Sequence, residues 1–220
     1  ITTTTSQVSA GLDLSSCQGD TVQLNASGGI SYNWTTTTNI SNTSISDPLV
    51  WPSITTEYIL EGTGANTCSN TDTVLVTVNA LPAVSAGADF SICYGETVTL
   101  SGGGTLLGIT YTWNNGISDG IPFVGTATTE FIVIAESLDG CFNSDTVLMT
   151  VNPTPTIDAG SDILICYGDT TQLNATGASN YSWSPLMSLN NPLIANPLSW
   201  ASDTTEYIVS TTDLNNCTNS

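Results

Sequence analysis

Thr-Thr-Glu followed by an aromatic residue occurs three times, at Thr55-Thr56-Glu57-Tyr58, Thr128-Thr129-Glu130-Phe131 and Thr204-Thr205-Glu206-Tyr207. Each time a cysteine follows ten residues after the aromatic, at Cys68, Cys141 and Cys217. Self-similarity at a fixed long period restricts a chain to repeat architecture, in which one supersecondary unit is written several times. The other landmarks keep step. A first set of cysteines, Cys17, Cys93 and Cys166, lies at offsets of 76 and 73 residues, and the second set follows 51, 48 and 51 residues later. Tyr32-Asn33-Trp34, Tyr111-Thr112-Trp113 and Tyr181-Ser182-Trp183 fall between them. The copies are residues 1–79, 80–152 and 153–220, joined by Asn79-Ala80-Leu81-Pro82 and Asn152-Pro153-Thr154-Pro155. Such linkers are too short and too proline-stiffened to behave as free coils.

Every segment reads as strand. Thr73-Val74-Leu75-Val76-Thr77-Val78 and Thr97-Val98-Thr99-Leu100 alternate or are rich in β-branched residues, and Gly, Asn, Asp and Pro cluster between such runs. No stretch has the helical period with good helix formers. Short, regularly spaced strands with an internal Cys–Trp–Cys order predict an all-β chain of three tandem immunoglobulin-like β-sandwiches in a head-to-tail rod. Trp34, Trp113 and Trp183 are expected in the cores. Trp51 and Trp200 stand seven residues before Tyr58 and Tyr207, where the middle copy has Val124. A position that accepts Val points to strand-edge packing, and a sugar-stacking platform is the alternative. The third copy stops at Asn219-Ser220, where the second continues Asp145-Thr146-Val147. Its last strand is therefore expected to lie beyond this window of a longer chain, or to be donated by another chain.

Composition removes several functions. The 220 residues contain no Lys, Arg or His against 19 acidic residues, for a formal charge of −19. Nucleic-acid binding needs cations to release condensed counterions, and an anionic membrane repels this chain. The commonest general base, the Schiff-base amine and the guanidinium clamp are all absent. No ion pair with a basic side chain contributes to stability, and a protease that cuts after Lys or Arg finds no site. A hydrophobic content of 40% with 9% charged residues argues against disorder. No run of 18 apolar residues spans a bilayer, so no membrane insertion is expected.

Six cysteines at repeating positions in such a chain imply disulfides; without His or a Cys-x-x-Cys spacing, zinc is not expected. Two pairings are open. The first is within each copy: Cys17–Cys68, Cys93–Cys141 and Cys166–Cys217. The second follows from topology. The first cysteine precedes strand B and the second lies in the F–G turn, at opposite poles of a sandwich and roughly 20 Å or more apart, beyond disulfide reach. Head-to-tail stacking then allows staggered bonds, Cys17–Cys141 and Cys93–Cys217, with Cys68 and Cys166 pairing to neighbouring repeats.

The Ser85-Ala86-Gly87-Ala88-Asp89 opening, Ile92-Cys93-Tyr94-Gly95, Tyr-x-Trp, Thr-Thr-Glu-Tyr, Asp139-Gly140-Cys141 and Asp145-Thr146-Val147 together resemble the PKD-like and Ig-like tandem repeats of very large secreted proteins of Bacteroidota. These include gliding-motility adhesins exported by type 9 secretion. The resemblance covers essentially the whole chain and implies PKD-like sandwiches, an extracellular or cell-surface location and adhesin function. It also implies O-glycosylation at Asp-(Ser/Thr)-aliphatic sites, here Thr21, Thr73 and Thr146, from which the third copy departs with Asp169-Thr170-Thr171. Seven Asn-x-Ser/Thr sites occur as well (Asn25, Asn33, Asn39, Asn42, Asn174, Asn180 and Asn216), as such a composition produces by chance.

The expected function is a stalk or filament segment, rigid and stapled, whose partners are neighbouring repeats of the same protein. A glycan- or surface-binding module using Trp51 and Trp200 is the alternative. A third reading is a calcium-stiffened array using Asp47, Asp119, Asp139 and Asp213, although these lack EF-hand spacing. No resident cofactor or metal is otherwise expected. An enzyme is not expected, since Glu57, Glu130 and Glu206 recur once per copy as strand-start residues.

Overall fold

The computed structural model describes residues 7–65, 67–104 and 108–220. The first copy forms β1 (Leu14–Cys17), β2 (Val22–Gln23), β3 (Ser31–Trp34), β4 (Leu49–Val50), β5 (Thr56–Thr63) and β6 (Ser69–Asn79). The second forms β7 (Phe90–Cys93), β8 (Thr97–Val98), β9 (Thr110–Trp113), β10 (Phe123–Val124), β11 (Thr129–Glu136) and β12 (Phe142–Asn152), with a 3-10 turn at Asn114–Gly116. The third forms β13 (Thr171–Gln172), β14 (Ser182–Ser184), β15 (Leu198–Ser199), β16 (Ile208–Thr212) and β17 (Thr218–Asn219).

The sheet orders repeat. β1-β6-β5-β3 recurs as β7-β12-β11-β9, and β2–β4 recurs as β8–β10 and β13–β15. In immunoglobulin lettering the larger sheet is A′-G-F-C and the smaller is B–E. The first strand does double duty in the first two copies. Isolated bridges Ser9↔Ser27 and Ser85↔Gly103 join it antiparallel to strand B, and it then crosses to pair parallel with strand G. That switch of sheets marks the fold as an immunoglobulin-like sandwich.

The period-two pattern sets what is buried. In β5, Tyr58 and Leu60 face inward while Glu57, Ile59 and Glu61 face out. In β6, Val74 and Val76 face the same core. The first core gathers Val8, Ala10, Leu24, Trp34, Val50, Tyr58, Leu60, Val74 and Val76, all buried. Each large side chain so buried contributes about 1.5–3 kcal/mol relative to exposure. The indole N–H of each core Trp has a partner, as a buried tryptophan requires. Trp34 Nε1 donates to Ile45 O at 3.0 Å, Trp183 Nε1 to Ile194 O at 3.0 Å, and Trp113 Nε1 to Asp119 Oδ1 at 2.8 Å.

Contact density divides the chain into two compact units. One comprises Ile1–Val84, Gly104–Tyr111 and Ile134–Ser144; the other comprises Ser85–Gly103, Thr112–Val133 and Asp145–Ser220.

Candidate functional site

The features that recur without serving a core are the cysteine turns. Cys17, Cys93 and Cys166 each open a four-residue turn closed by an i+3 N–H donating back to the cysteine carbonyl. The donors are Asp20, Glu96 and Asp169, at 3.0, 3.1 and 3.0 Å. The third residue is glycine each time, with φ of 94°, 86° and 88° at Gly19, Gly95 and Gly168. A Cβ at any of them would meet nothing within 4 Å, so backbone conformation demands glycine, not space.

The second cysteines close the F–G hairpins. Gly64, Ser137 and Asp213 N–H groups donate to the carbonyls of Cys68, Cys141 and Cys217 at 3.0, 2.9 and 2.9 Å. The residue just before each cysteine is left-handed: Thr67, Gly140 and Asn216, with φ of 60°, 75° and 64°. This is the three-residue hairpin loop with its final residue in the left-handed region. Two turns of fixed geometry thus hold the two cysteines of every copy.

The register decides which of them can meet. Cys17 pairs with Asn79 at the end of β6, whereas Cys68 immediately precedes Ser69 at its start. The ten residue steps of β6 between Ser69 and Asn79 span about 33 Å at about 3.3 Å each. Disulfide formation needs Cα atoms within about 7 Å. Cys93 pairs with Asn152, and Cys141 precedes Phe142 at the start of β12, so the second copy has the same geometry. The disulfides present are Cys17–Cys141 and Cys93–Cys217, with Cα separations of 5.6 and 5.5 Å and 124 residues between partners in each. Each closes within one compact unit. Cys141 and Cys217 are fully buried. Cys68 and Cys166 take part in neither bond and are exposed.

In the first two copies carboxylates fasten strand G to the strand that opens the copy, a role that sequence reading missed. Ala10 N–H donates to Asp72 Oδ2 and Ala86 N–H to Asp145 Oδ2, each at 2.8 Å. In return, Leu75 N–H donates to Asp13 Oδ1 and Leu148 N–H to Asp89 Oδ1, at 2.9 and 2.8 Å. These backbone donors hold the Asp72 and Asp145 carboxyls below the ordinary carboxylate value, Ala10 and Ala86 acting most strongly. Val78 and Val151 N–H groups add bonds to Thr55 Oγ1 and Thr128 Oγ1, at 3.1 and 2.9 Å. The recurrence of Asp in Ser-Ala-Gly-x-Asp was the available signal.

Trp51 and Trp200 are half-exposed at the ends of β4 and β15, as is Val124 at the end of β10. The backbone N–H groups of Trp51 and Trp200 donate to Asn39 O and Ser188 O at 3.0 and 3.1 Å. Thr21, Thr73 and Thr146 are all exposed. The four aspartates considered for calcium are not brought together. Asp119 serves Trp113 and the Gly102 N–H, Asp213 accepts from the Asn215 and Cys217 N–H groups, and Asp47 accepts from Gln23. Among the described residues no group of three or more acidic or thiol side chains converges. The third copy holds an open groove of about 510 Å³ between the stretch 159–167 and the segment 201–207.

No family model matches the chain, and no curated protein matches it. Among solved structures it is similar to an I-band fragment from titin, with 10% identity over 90% of both chains and a TM-score of 0.38. A second titin tandem shares 13% identity over 90% of this chain and 91% of that one, with a TM-score of 0.34. Immunoglobulin domains 1–4 of Sidekick-1 share 13% over 95% and 72%, with a TM-score of 0.32. The fold assignment rests on the strand order and register described above.

Proposed function

We propose that this chain is a structural repeat segment of a secreted cell-surface adhesin or extracellular filament, a stapled and protease-resistant stalk. The observation that carries this reading is the stagger of the disulfides. Each bond takes the A′–B cysteine of one repeat to the F–G cysteine of the next, so it joins consecutive repeats and closes no single sandwich. Stable disulfides of this kind belong to oxidising, extracellular settings. Residues 1–79, 80–152 and 153–220 are the repeating units in this reading. Cys166, at the position of Cys17 and Cys93, is the attachment point for a following repeat, and Cys68, at the position of Cys141 and Cys217, for a preceding one. The missing basic residues fit the same role, since trypsin-like enzymes find nothing to cut. The chain is read as non-enzymatic, and O-glycosylation at Thr21, Thr73 and Thr146 would decorate the exposed faces. The Bacteroidota and gliding-motility assignment rests on the repeat resemblance alone.

The test is surface proteolysis and imaging of the native protein on its producing cells. A stalk gives trypsin-resistant projections that fragment when reductant is added before protease. Uniform intracellular labelling with antibodies to this segment refutes the reading. A mass excess of the intact chain over its sequence reports glycan occupancy.

The half-exposure of Trp51 and Trp200 keeps a second reading, a carbohydrate-binding module. A glycan array separates the two. A saturable hit abolished by Trp51→Ala favours the module, and a stalk segment gives no specific hit.

A further inference from the structure

The two linkers are pinned in the same way at both ends. In the first, Asn79 O accepts from the Gln18 N–H at 2.9 Å and Pro82 O accepts from Asn143 Nδ2 at 3.0 Å. In the second, Asn152 O accepts from the Tyr94 N–H and Pro155 O from Asn219 Nδ2, each at 2.8 Å. Gln18 and Tyr94 directly follow Cys17 and Cys93, while Asn143 and Asn219 stand two residues after Cys141 and Cys217. Each pin therefore sits beside one half of a staggered disulfide. All the groups of the first junction fall in one compact unit, and all those of the second in the other. Neither asparagine serves a core, Asn143 being half-buried and Asn219 exposed.

Between the pins lie only two residues, Ala80 and Leu81 in the first linker and Pro153 and Thr154 in the second. A few connecting residues are enough to absorb the backbone rotation of a hinge, and domains joined by one linker move relative to each other unless a large interface holds them. The disulfide adds a second connection. Cys17 is the register partner of Asn79, and Cys93 of Asn152, so the covalent strut runs about 5 Å from the pivot. Two connections side by side suppress swinging and twisting about the linker and leave rotation only about the line through both.

We propose that each junction is a disulfide-gated hinge, in which Asn143 and Asn219 are positioning residues that keep the pivot two residues long. Oxidised, the joint is stiff. Reduced, it bends about Ala80-Leu81 or Pro153-Thr154 while each sandwich keeps its fold, because neither bond closes a single sandwich. The reagent that opens it is a dithiol. One thiolate bonds to a sulfur of the disulfide, the S–S bond breaks and the departing sulfur takes a proton; the second thiol then displaces the first, so the dithiol is oxidised as the two cysteines are reduced. This inference rests on the stalk reading, whose stiffness it would regulate, but its test needs no cell, so either can fail without the other.

The test uses the intact 220-residue chain and residual dipolar couplings for each copy, before and after a dithiol reductant, with the indole signals of Trp34, Trp113 and Trp183 reporting the cores. The expected result is alignment tensors of equal magnitude in the oxidised chain and of unequal magnitude after reduction, with the indole signals unmoved. Asn143→Asp and Asn219→Asp keep the Oδ1 that accepts from the Ser144 and Ser220 N–H groups but lose the donor to the proline carbonyl. In the oxidised chain Asn143→Asp should separate the tensors of the first and second copies only, and Asn219→Asp those of the second and third only, a split that a general loss of stability does not produce. Couplings that stay equal once alkylation confirms reduction overturn the proposal, as do couplings already unequal in the oxidised chain. Indole signals lost on reduction also overturn it, since the bonds would then hold sandwiches and not hinges. An Asn143→Asp effect that is absent, or that reaches both junctions, overturns the asparagine clamp.

Discussion

Serine at Cys93 should unpair a cysteine 124 residues away and leave the one 48 residues away untouched. The geometry allows nothing else. Cys93 sits at the Asn152 end of β12 and Cys141 at the Phe142 end, about 33 Å apart along the strand, several times the reach of a disulfide. In a Cys68→Ser/Cys166→Ser background, the denatured, unreduced chain should expose no thiol. Adding Cys93→Ser should expose one, and alkylation followed by peptide mapping should place it at Cys217. The energetic consequence follows from the same span. Closing a loop of 124 residues in the unfolded ensemble is worth about 5 kcal/mol in the chain-entropy account, a ceiling that residual structure lowers. With a urea m-value near 1 kcal/mol/M for a sandwich of this size, the unfolding midpoint falls by up to about 5 M. The two loops overlap between residues 93 and 141, so losing both bonds costs less than the sum. An alkylated peptide carrying Cys141, or a midpoint indifferent to reductant, refutes the reasoning.

Other outcomes follow from the packing. Asp119→Ala strips the Trp113 indole and the Gly102 N–H of their acceptor and should destabilise the second sandwich by about 1–3 kcal/mol, read by urea unfolding. The Asp72 and Asp145 carboxyls are lowered from 3.8 in the folded chain. Their stabilisation is therefore complete above that value and is lost as pH falls through the lowered one. Urea midpoints between pH 5 and pH 2 should drop, and Asp72→Asn with Asp145→Asn should flatten that drop; an unchanged slope contradicts the assignment. Gly62→Ala drives a Cβ into the Val8 side chain and should cost about 1–3 kcal/mol as overpacking. Gly19→Ala meets only backbone strain and should cost about 1–2 kcal/mol.

How far the sequence could be read depended on the range of the interaction. The sandwiches were legible because alternation and turn chemistry are local. Tyr58 and Val74 declare their faces through their neighbours, and Gly19, Gly95 and Gly168 mark turns that only glycine accepts cheaply. The cysteine pairing was half legible. Strand polarity excludes a bond across a strand's length, but selecting Cys141 for Cys17 needs the parallel ladder between β1 and β6, whose partners lie 62 residues apart. Asp119 and Asp213 looked like candidate ligands because a carboxylate in a loop reads the same whether it awaits a cation or an indole N–H. Composition could not say that Trp113 and the Cys217 turn had already claimed them. The strand-G fasteners at Asp13, Asp89, Thr55 and Thr128 were visible as recurrences, but their purpose depends on backbone donors brought from a distant strand.

The stagger also fixes what a pulling force can extract. If every hydrogen bond between Cys17 and Cys217 gave way, the covalent route would run through the first disulfide, back along 48 residue steps from Cys141 to Cys93, and out through the second. Its contour is about 170 Å at full extension, against about 700 Å for the 200 steps of the unlinked chain. The tether would reach its covalent limit after releasing the length of a single sandwich. Beyond that point load passes to sulfur–sulfur bonds, and the slack stored in the remaining strands stays out of reach until a reductant arrives.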